Sequence, residues 1–206
     1  SNTTTGTFEL LFKTSGTNVP LLGWSSSAYP TASGSMVPTA YIGLDGKIRA
    51  EQWVGSLNQI TSSGIYNDNK WHHMAFALGG GSHSLYVDGT LIGTVAATIT
   101  TFANTHNYIG MADMATRPST SGTWTAANAT LIDEVKFSNN KRNADWILQE
   151  YNAIQDNVNI IYREESNSAS LVNATLQLSS AYPQNVTVPF TVTGTSTSGT
   201  DHNLAS

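Results

Sequence analysis

Apolar residues alternate with small or polar ones in the centre of the chain. In the segment 74–78, Met, Phe and Leu occupy every second position, which predicts a β-strand with one strongly apolar face. A glycine run at 79–81 ends this strand, and the segment 85–87 starts another. Asp88-Gly89 then leads into the apolar pair at 91–92, and Asp-Gly between apolar runs favours a type I′ turn because both residues tolerate positive φ. The centre is therefore predicted to be an antiparallel meander.

A second Asp-Gly pair, Asp45-Gly46, predicts another β-hairpin. A two-residue loop at this pair would place residue 41 opposite residue 50. On this register Tyr41 lies on the same face as residue 50. Arg49, Glu51 and Trp53 then point together to the opposite face, because successive side chains of a strand alternate between faces.

The remaining elements follow from the same kind of pattern. Phe8, Leu10 and Phe12 form the inward face of a predicted first strand. Further strands are predicted at 60–65, 90–100, 108–111 and 131–137. The stretch 14–40 is predicted to hold a short strand around 21–24 followed by a long loop, and 112–128 a second long loop. One helix is predicted at 143–151, where Asn143 can serve as N-cap and Asp145 sits in the first turn.

Several segments carry a family resemblance. Residues 67–75 (Asn-Asp-Asn-Lys-Trp-His-His-Met-Ala) and 85–91 (Leu-Tyr-Val-Asp-Gly-Thr-Leu) resemble the central signature of laminin-G-like jelly rolls of the concanavalin A-like lectin class. Residues 6–13 resemble the opening strand of that family, and residues 131–137 resemble the closing one. The resemblance implies an all-β jelly-roll sandwich of two antiparallel sheets with one short helix, which we assign to residues 1–156. Because this fold hosts lectins, adhesion modules, spacers and enzymes, it does not define a function.

The sequence changes in character after Asn157. Three strands are predicted at 158–162, 174–179 and 186–192. The stretch 197–201 (Thr-Ser-Gly-Thr-Asp) resembles the Gly-x-Asp-Tyr motif of Calx-beta modules, with His202 in place of the Tyr. We interpret residues 157–206 as a β-rich appendage, either a partial Calx-beta-like segment or the junction to a following repeat. The missing initiator Met also suggests a piece of a longer protein.

Composition narrows the range of partners. Only 11% of the 206 residues are charged, the net charge is -5, and there is no basic cluster, so nucleic acid is not an expected partner. No apolar run is long enough to predict a membrane span. The absence of Cys excludes disulfides, thiol catalysis and zinc–thiolate sites. A Thr-, Ser- and Asn-rich chain of this kind suits an extracellular or cell-surface protein, such as an adhesin.

Motifs for catalysis are missing. Glucanases of this class place carboxylates as Glu-x-Asp-x-x-Glu on one strand, a spacing that does not occur here. There is also no Gly-x-Ser-x-Gly elbow. His72 and His73 lie on opposite faces of a strand and cannot chelate one metal, so one of them is expected to hydrogen-bond neighbouring turns. We therefore predict that the chain is not an enzyme.

Asp133 is the one candidate metal ligand. It is expected to share a face with Leu131, Val135 and Phe137 and so to be partly buried, where an ionised carboxylate needs partners. Structural calcium would satisfy it, and so would loop amides or an Arg.

Exposed aromatic side chains beside polar ones predict carbohydrate recognition. Trp24, Trp53 and Trp124 are candidates for stacking on sugar rings. Arg49, Glu51 and Arg117 are candidates for hydrogen bonds to sugar hydroxyls. The alternative for Trp24 and Trp53 is that they cap the edges of the sandwich, and Trp71 and Trp146 are assigned to packing.

The resulting functional prediction is non-catalytic binding of a glycan, on a glycoprotein or a polysaccharide surface. The alternative is a structural spacer whose strands mediate assembly, including into a homo-oligomer.

Overall fold

The computed structural model describes residues 5–25, 28–29, 37–53, 55–99, 106–115 and 117–155; the Calx-beta-like segment, 157–206, lies outside these ranges. Within them the chain forms twelve strands and one helix. The elements are β1 (Gly6–Thr14), β2 (Val19–Ser25), β3 (Val37–Ile42), β4 (Lys47–Glu51), β5 (Gln59–Ile65), β6 (Trp71–Gly79), β7 (Ser82–Val87), β8 (Thr90–Ala96), β9 (His106–Ile109), β10 (Met111–Asp113), β11 (Trp124–Ala126), β12 (Thr130–Ser138) and α1 (Ala144–Ile154).

Two five-stranded antiparallel sheets face each other. The first has the strand order β12-β1-β6-β7-β8, and we call it the helix-side sheet because α1 covers its outer face. The second has the order β5-β4-β3-β2-β9, and we call it the loop-side sheet because the small β10–β11 hairpin and its loop cover its outer face. The predicted jelly-roll sandwich with one short helix is confirmed.

The core lies between the sheets and follows the predicted alternation. Leu10 and Phe12 of β1 and Met74 and Phe76 of β6 are fully buried. They belong to one cluster with side chains of the loop-side sheet, such as Ile48. Burying these alternate positions stabilises the fold by about 1.5–3 kcal/mol for each large apolar side chain.

Strand β6 is buried on both faces, which the sequence pattern did not predict. Ala75 and Ala77 alternate with the core residues and pack under Ile147 of α1, which is fully buried. The small alanines let the helix approach the sheet. The helix begins as predicted, because the side chain of Asn143 accepts a hydrogen bond from the backbone N–H of Trp146 at 2.9 Å.

The hairpin at Asp88-Gly89 has the predicted geometry. Both residues have positive φ, 50° for Asp88 and 71° for Gly89. Gly89 is needed for space as well as for conformation, since a Cβ there would lie 2.8 Å from Cδ1 of Leu148 in α1.

The hairpin at Asp45-Gly46 differs from the prediction. Tyr41 pairs with Arg49, not with residue 50, and Ile42 pairs with Ile48. Only Gly46 of the Asp-Gly pair has positive φ (74°), and its N–H donates to the carbonyl of Gly43 at 3.0 Å. The loop is therefore longer than two residues, and the register shifts by one. As a result Tyr41 lies on the outer face with Arg49. Arg49 itself lies on the face opposite to that of residue 50, as predicted.

A bulge in β12 overturns the expected burial of Asp133. The pairing of β12 with β1 shifts between Glu9 and Leu11, and Glu134 has a positive φ of 48°. Asp133 is therefore on the exposed side of the strand, and its carboxylate accepts a hydrogen bond from the N–H of Glu134 at 2.8 Å. Leu131, Asp133, Val135 and Phe137 do not share one face, because Val135 packs against the core and Leu131 is exposed.

His72 connects two turns, as expected of one histidine of the pair. Its Nδ1 lies 2.7 Å from the carboxylate of Asp88, and its Nε2 lies 3.0 Å from that of Asp68. A neutral imidazole has only one N–H, so both hydrogen bonds require the imidazolium cation. The hydrogen bond to Asp88, followed by the one to Asp68, raises the pKa of His72.

Replacing His72 with Gln is expected to remove a pH-dependent part of the stability. Because the folded-state pKa is raised, this part is fully present below the unfolded pKa of about 6.5 and is lost as pH rises through the folded pKa. We expect the variant to lose about 1–3 kcal/mol at about pH 5.5 and less at about pH 9.

Chemical denaturation across this pH range measures the effect. Burial lowers the pKa of His83 to about 4, so the contribution of His83 to stability changes with pH in the opposite direction to that of His72. Only the difference between wild type and variant isolates His72. His106→Gln is the control. An equal destabilisation at every pH would contradict the bridging role of His72.

Candidate functional site

The outer face of the loop-side sheet carries a polar cluster. Tyr41, Arg49 and Glu51 project from β3 and β4 on this face, and all three are buried. The β10–β11 hairpin covers them at close range. This approach depends on Gly23 in β2, where a Cβ would lie 2.3 Å from the carbonyl oxygen of Met111.

Hydrogen bonds fix the loop between β10 and β11 to the sheet. The hydroxyl of Tyr41 donates to the carbonyl of Pro118 at 3.0 Å. The N–H of Leu44 donates to the carbonyl of Ser119 at 2.7 Å. Asn18 and Ser121 exchange two hydrogen bonds, each 3.0 Å long. The loop that carries Arg117 is therefore held at three places along the same face.

Arg117 and Glu51 form a buried ion pair. The Nε–H of Arg117 donates to Oε1 of Glu51, and the side chains are only 7% and 1% exposed. Burial raises the pKa of Glu51 to about 7, while the charge of Arg117 and its hydrogen bond act in the opposite direction. Two charges at this depth need each other, because either one alone would be left desolvated.

Gln59 completes the cluster. Its Nε2 donates to the hydroxyl oxygen of Tyr41 at 2.7 Å and lies 3.4 Å from Oε2 of Glu51. Burial raises the pKa of Tyr41, so this phenol stays neutral and can donate to the loop. Glu51 and Gln59 face each other because β4 pairs with β5 at this position. Neither Tyr41 nor Gln59 was predicted from the sequence, because both depend on strand register.

Trp53 lies beside this cluster and is open to solvent. Its side chain is 45% exposed, and the guanidinium carbon of Arg117 lies 5.6 Å from the centre of its ring. Three of the predicted ligand-binding residues, Glu51, Trp53 and Arg117, are thus brought together. Trp53 is the one among them that presents a wide surface to a ligand.

Arg49 bonds the turn between β3 and β4. Its guanidinium forms a bidentate pair with the carboxylate of Asp45, with both N–O distances 2.7 Å. This hydrogen bonding lowers the pKa of Asp45 and fixes the turn between β3 and β4. Because Arg49 is buried and both of its terminal nitrogens bond groups of the turn, it is positioned to support the site rather than to contact a ligand.

The other predicted residues do not join the cluster. Trp24 lies near the end of β2, at the same end of the loop-side sheet as Trp53, but it is half-buried, and its indole Nε1 is buried without a partner among the described residues. Trp124 pairs with Asp113 in the β10–β11 hairpin, and its side chain lies outside the described residues. Trp71, which was assigned to packing, is 43% exposed on the other sheet.

Asp133 has no cluster of acidic or histidine side chains around it among the described residues. Calcium takes six to eight oxygen ligands. Over the described ranges, no three His, Asp or Glu side chains come close enough together to hold a metal ion. The calcium hypothesis therefore stays a prediction without a described donor set.

Comparison with known proteins defines the class. The family model of the concanavalin A-like lectin/glucanases superfamily, in its laminin-G-like form, matches residues 2–148. The chain belongs to this family. A comparison with curated protein sequences gives no match. In the described part of the chain, the helix falls short of the length and apolar character that crossing a membrane requires.

Solved structures share the fold. A sialidase from Trypanosoma rangeli is similar with a TM-score of 0.53 and 17% identity, over 73% of this chain and 23% of that chain. The binding domain of Paraclostridial Mosquitocidal Protein 1 is similar with a TM-score of 0.50 and 12% identity, over 73% of this chain and 37% of that chain. The chain thus spans 23% and 37% of these two proteins, and the likeness concerns the fold.

Replacing Arg117 with Met is expected to destabilise the protein by about 3–5 kcal/mol, because Glu51 is left buried without its partner. The loss of stability should be larger at about pH 8 than at about pH 5. At about pH 8 the unpaired Glu51 must either carry a buried charge or take up a proton, and both cost free energy. At about pH 5 Glu51 is already protonated.

Chemical denaturation of Arg117→Met and of the double variant Arg117→Met/Glu51→Leu measures this coupling. The double variant should be more stable than the single one, because no charge is left buried. Equal stability of the two variants would contradict a buried ion pair at this position.

Proposed function

We propose that the chain is a non-catalytic glycan-binding module and that Trp53 is its stacking surface. The observation that carries this proposal is a half-exposed indole held next to a buried, hydrogen-bonded polar cluster. A flat aromatic ring offers a large contact area with few rotatable bonds, and this lowers the entropy lost on binding. We further propose that the ligand is displayed on a glycoprotein or polysaccharide surface and that the module is part of an extracellular adhesin.

The rigidity of the site supports binding. Arg117 contacts the ring of Trp53 and is itself fixed by Glu51. The loop that carries Arg117 is fastened to the sheet through Tyr41 and Asn18. A pre-positioned side chain binds a weak ligand such as a sugar more tightly than a mobile one.

The state of the carboxylates favours binding over hydrolysis. Glycoside hydrolysis needs one free carboxylic acid and one carboxylate on either side of the sugar. On the outer face of the loop-side sheet, Glu51 is paired with Arg117, and Asp45 is paired with Arg49. Both carboxylates are thus engaged in ion pairs.

The comparisons support the same class of function. The superfamily is named for lectins as well as for glucanases. One solved structure of the same fold carries the description of a binding domain, and the sialidase match covers only 23% of that enzyme. A module that accompanies larger proteins is consistent with both matches.

Replacing Trp53 with Ala is expected to weaken binding on a glycan array by about 30-fold or more, as for the truncation of a central aromatic contact. The wild-type chain should bind at least one class of oligosaccharide. The unfolding transition of the variant should stay close to that of wild type because the indole is half-exposed.

Trp71→Ala is the matched control, since Trp71 is similarly exposed on the opposite sheet. This control should bind as wild type does. Absence of binding to any glycan, or equal binding by Trp53→Ala and wild type, would refute the proposal.

A second candidate function rests on the edge strand β12. Leu131 and Phe137 are 58% and 52% exposed on this strand, which ends the helix-side sheet. Exposed edge strands with apolar side chains can pair with another chain. We therefore retain a spacer or assembly module as the alternative function.

Replacing Leu131 with Lys tests assembly. If β12 mediates self-association, light scattering should give an oligomer for wild type and a monomer for the variant, because charge on an edge strand opposes pairing. A monomeric wild type at high concentration would remove this candidate.

A further inference from the structure

The connection that carries Trp53 has no charged residue. Trp53 lies in the connection between β4 and β5, and the sixteen residues from 52 to 67 contain no Asp, Glu, Lys or Arg. The exposed part of this connection offers hydroxyl and amide groups, such as those of Ser56 and Asn58, which bond each other at 3.0 Å. These groups donate and accept hydrogen bonds without a net charge.

Two arginines on this face are each paired with a carboxylate of the protein. Arg117, which contacts the ring of Trp53, is paired with Glu51. Arg49 on the same face of β4 is paired with Asp45 through two hydrogen bonds. Each cation therefore has its own carboxylate within the protein, and neither is left over for an anionic ligand.

The whole chain adds to this effect. Its net charge is -5, which repels anions at long range. An acidic sugar that binds over Trp53 would have to give up the hydration of its carboxylate without gaining a cationic partner, and this costs free energy.

We propose that the Trp53 site selects neutral oligosaccharides and rejects those that carry sialic or uronic acid. This inference rests on the proposed glycan binding and specifies its ligand class. Selectivity comes from the internal pairing of Arg117 with Glu51, because this pairing withholds the guanidinium that contacts the stacking surface.

Binding to matched glycan pairs tests the inference at about pH 8, where Glu51 is ionised. The probes are N-acetyllactosamine with its sialylated form, and xylotetraose with tetragalacturonate. We expect at least one neutral member to bind at least about ten-fold more tightly than its acidic counterpart, and Trp53→Ala to abolish that binding.

Replacing Glu51 with Gln removes the partner of Arg117. This variant should bind the acidic member about five-fold more tightly than wild type does, because the guanidinium charge is no longer compensated. The double variant Glu51→Gln/Arg117→Gln, which removes both charges, should lose this gain and bind the acidic member no more tightly than wild type does. Glu134→Gln removes the same charge from the other sheet and should change nothing.

The possible failures are distinct. If the acidic members bind as tightly as the neutral ones, or more tightly, and Trp53→Ala abolishes this binding, the neutral selectivity is refuted and glycan binding stands. If no glycan binds, both the proposed function and this inference are refuted. If Glu51→Gln folds but does not change the preference, the pairing with Arg117 is not the source of selectivity.

Discussion

The register of the β3–β4 hairpin is the constraint on which the candidate site depends. Gly46 adopts positive φ, and the pair Asp45–Arg49 closes the turn, so that Tyr41 pairs with Arg49. A shift of one residue would move Tyr41 into the core, since side chains alternate between faces. Its hydroxyl could then no longer hold the β10–β11 loop, and Arg117 would lose its anchor beside Trp53.

The buried pair of Arg117 and Glu51 links this scaffold to the exposed surface. Such a pair gains little net stability, because the attraction between the charges is offset by their desolvation. Its role in this structure is to fix the position of the Arg117 side chain. The guanidinium is held at one place against the Trp53 ring, and Gln59 hydrogen-bonds the remaining oxygen of Glu51 and the neighbouring phenol of Tyr41. A polar network with these partners satisfied specifies a single arrangement of the loop.

Alternation of apolar residues was enough to predict most strands, because burial acts locally on each segment. The N-cap Asn143 predicted the start of the helix, and the resemblance to laminin-G-like jelly rolls implied the two-sheet sandwich. Alternation also predicted that Arg49 and Glu51 share one face of their strand. It could not predict what depends on long-range packing or on turn geometry. The cover that α1 places over Ala75, the bulge that exposes Asp133 and the pairing of Glu51 with Gln59 are of this kind. Exposure of Trp71 was missed for the same reason, since a strand pattern does not tell which part of a face a helix covers.

The most direct test of the account follows the five tryptophans individually. In a two-dimensional NMR spectrum, each indole N–H gives its own signal, which can be assigned by single substitutions. Titration with a neutral oligosaccharide that the chain binds should shift the signal of Trp53 strongly and leave that of Trp71 in place. A saturable shift of Trp71 with no change at Trp53 would contradict the central claim that the outer face of the loop-side sheet presents the ligand-binding surface.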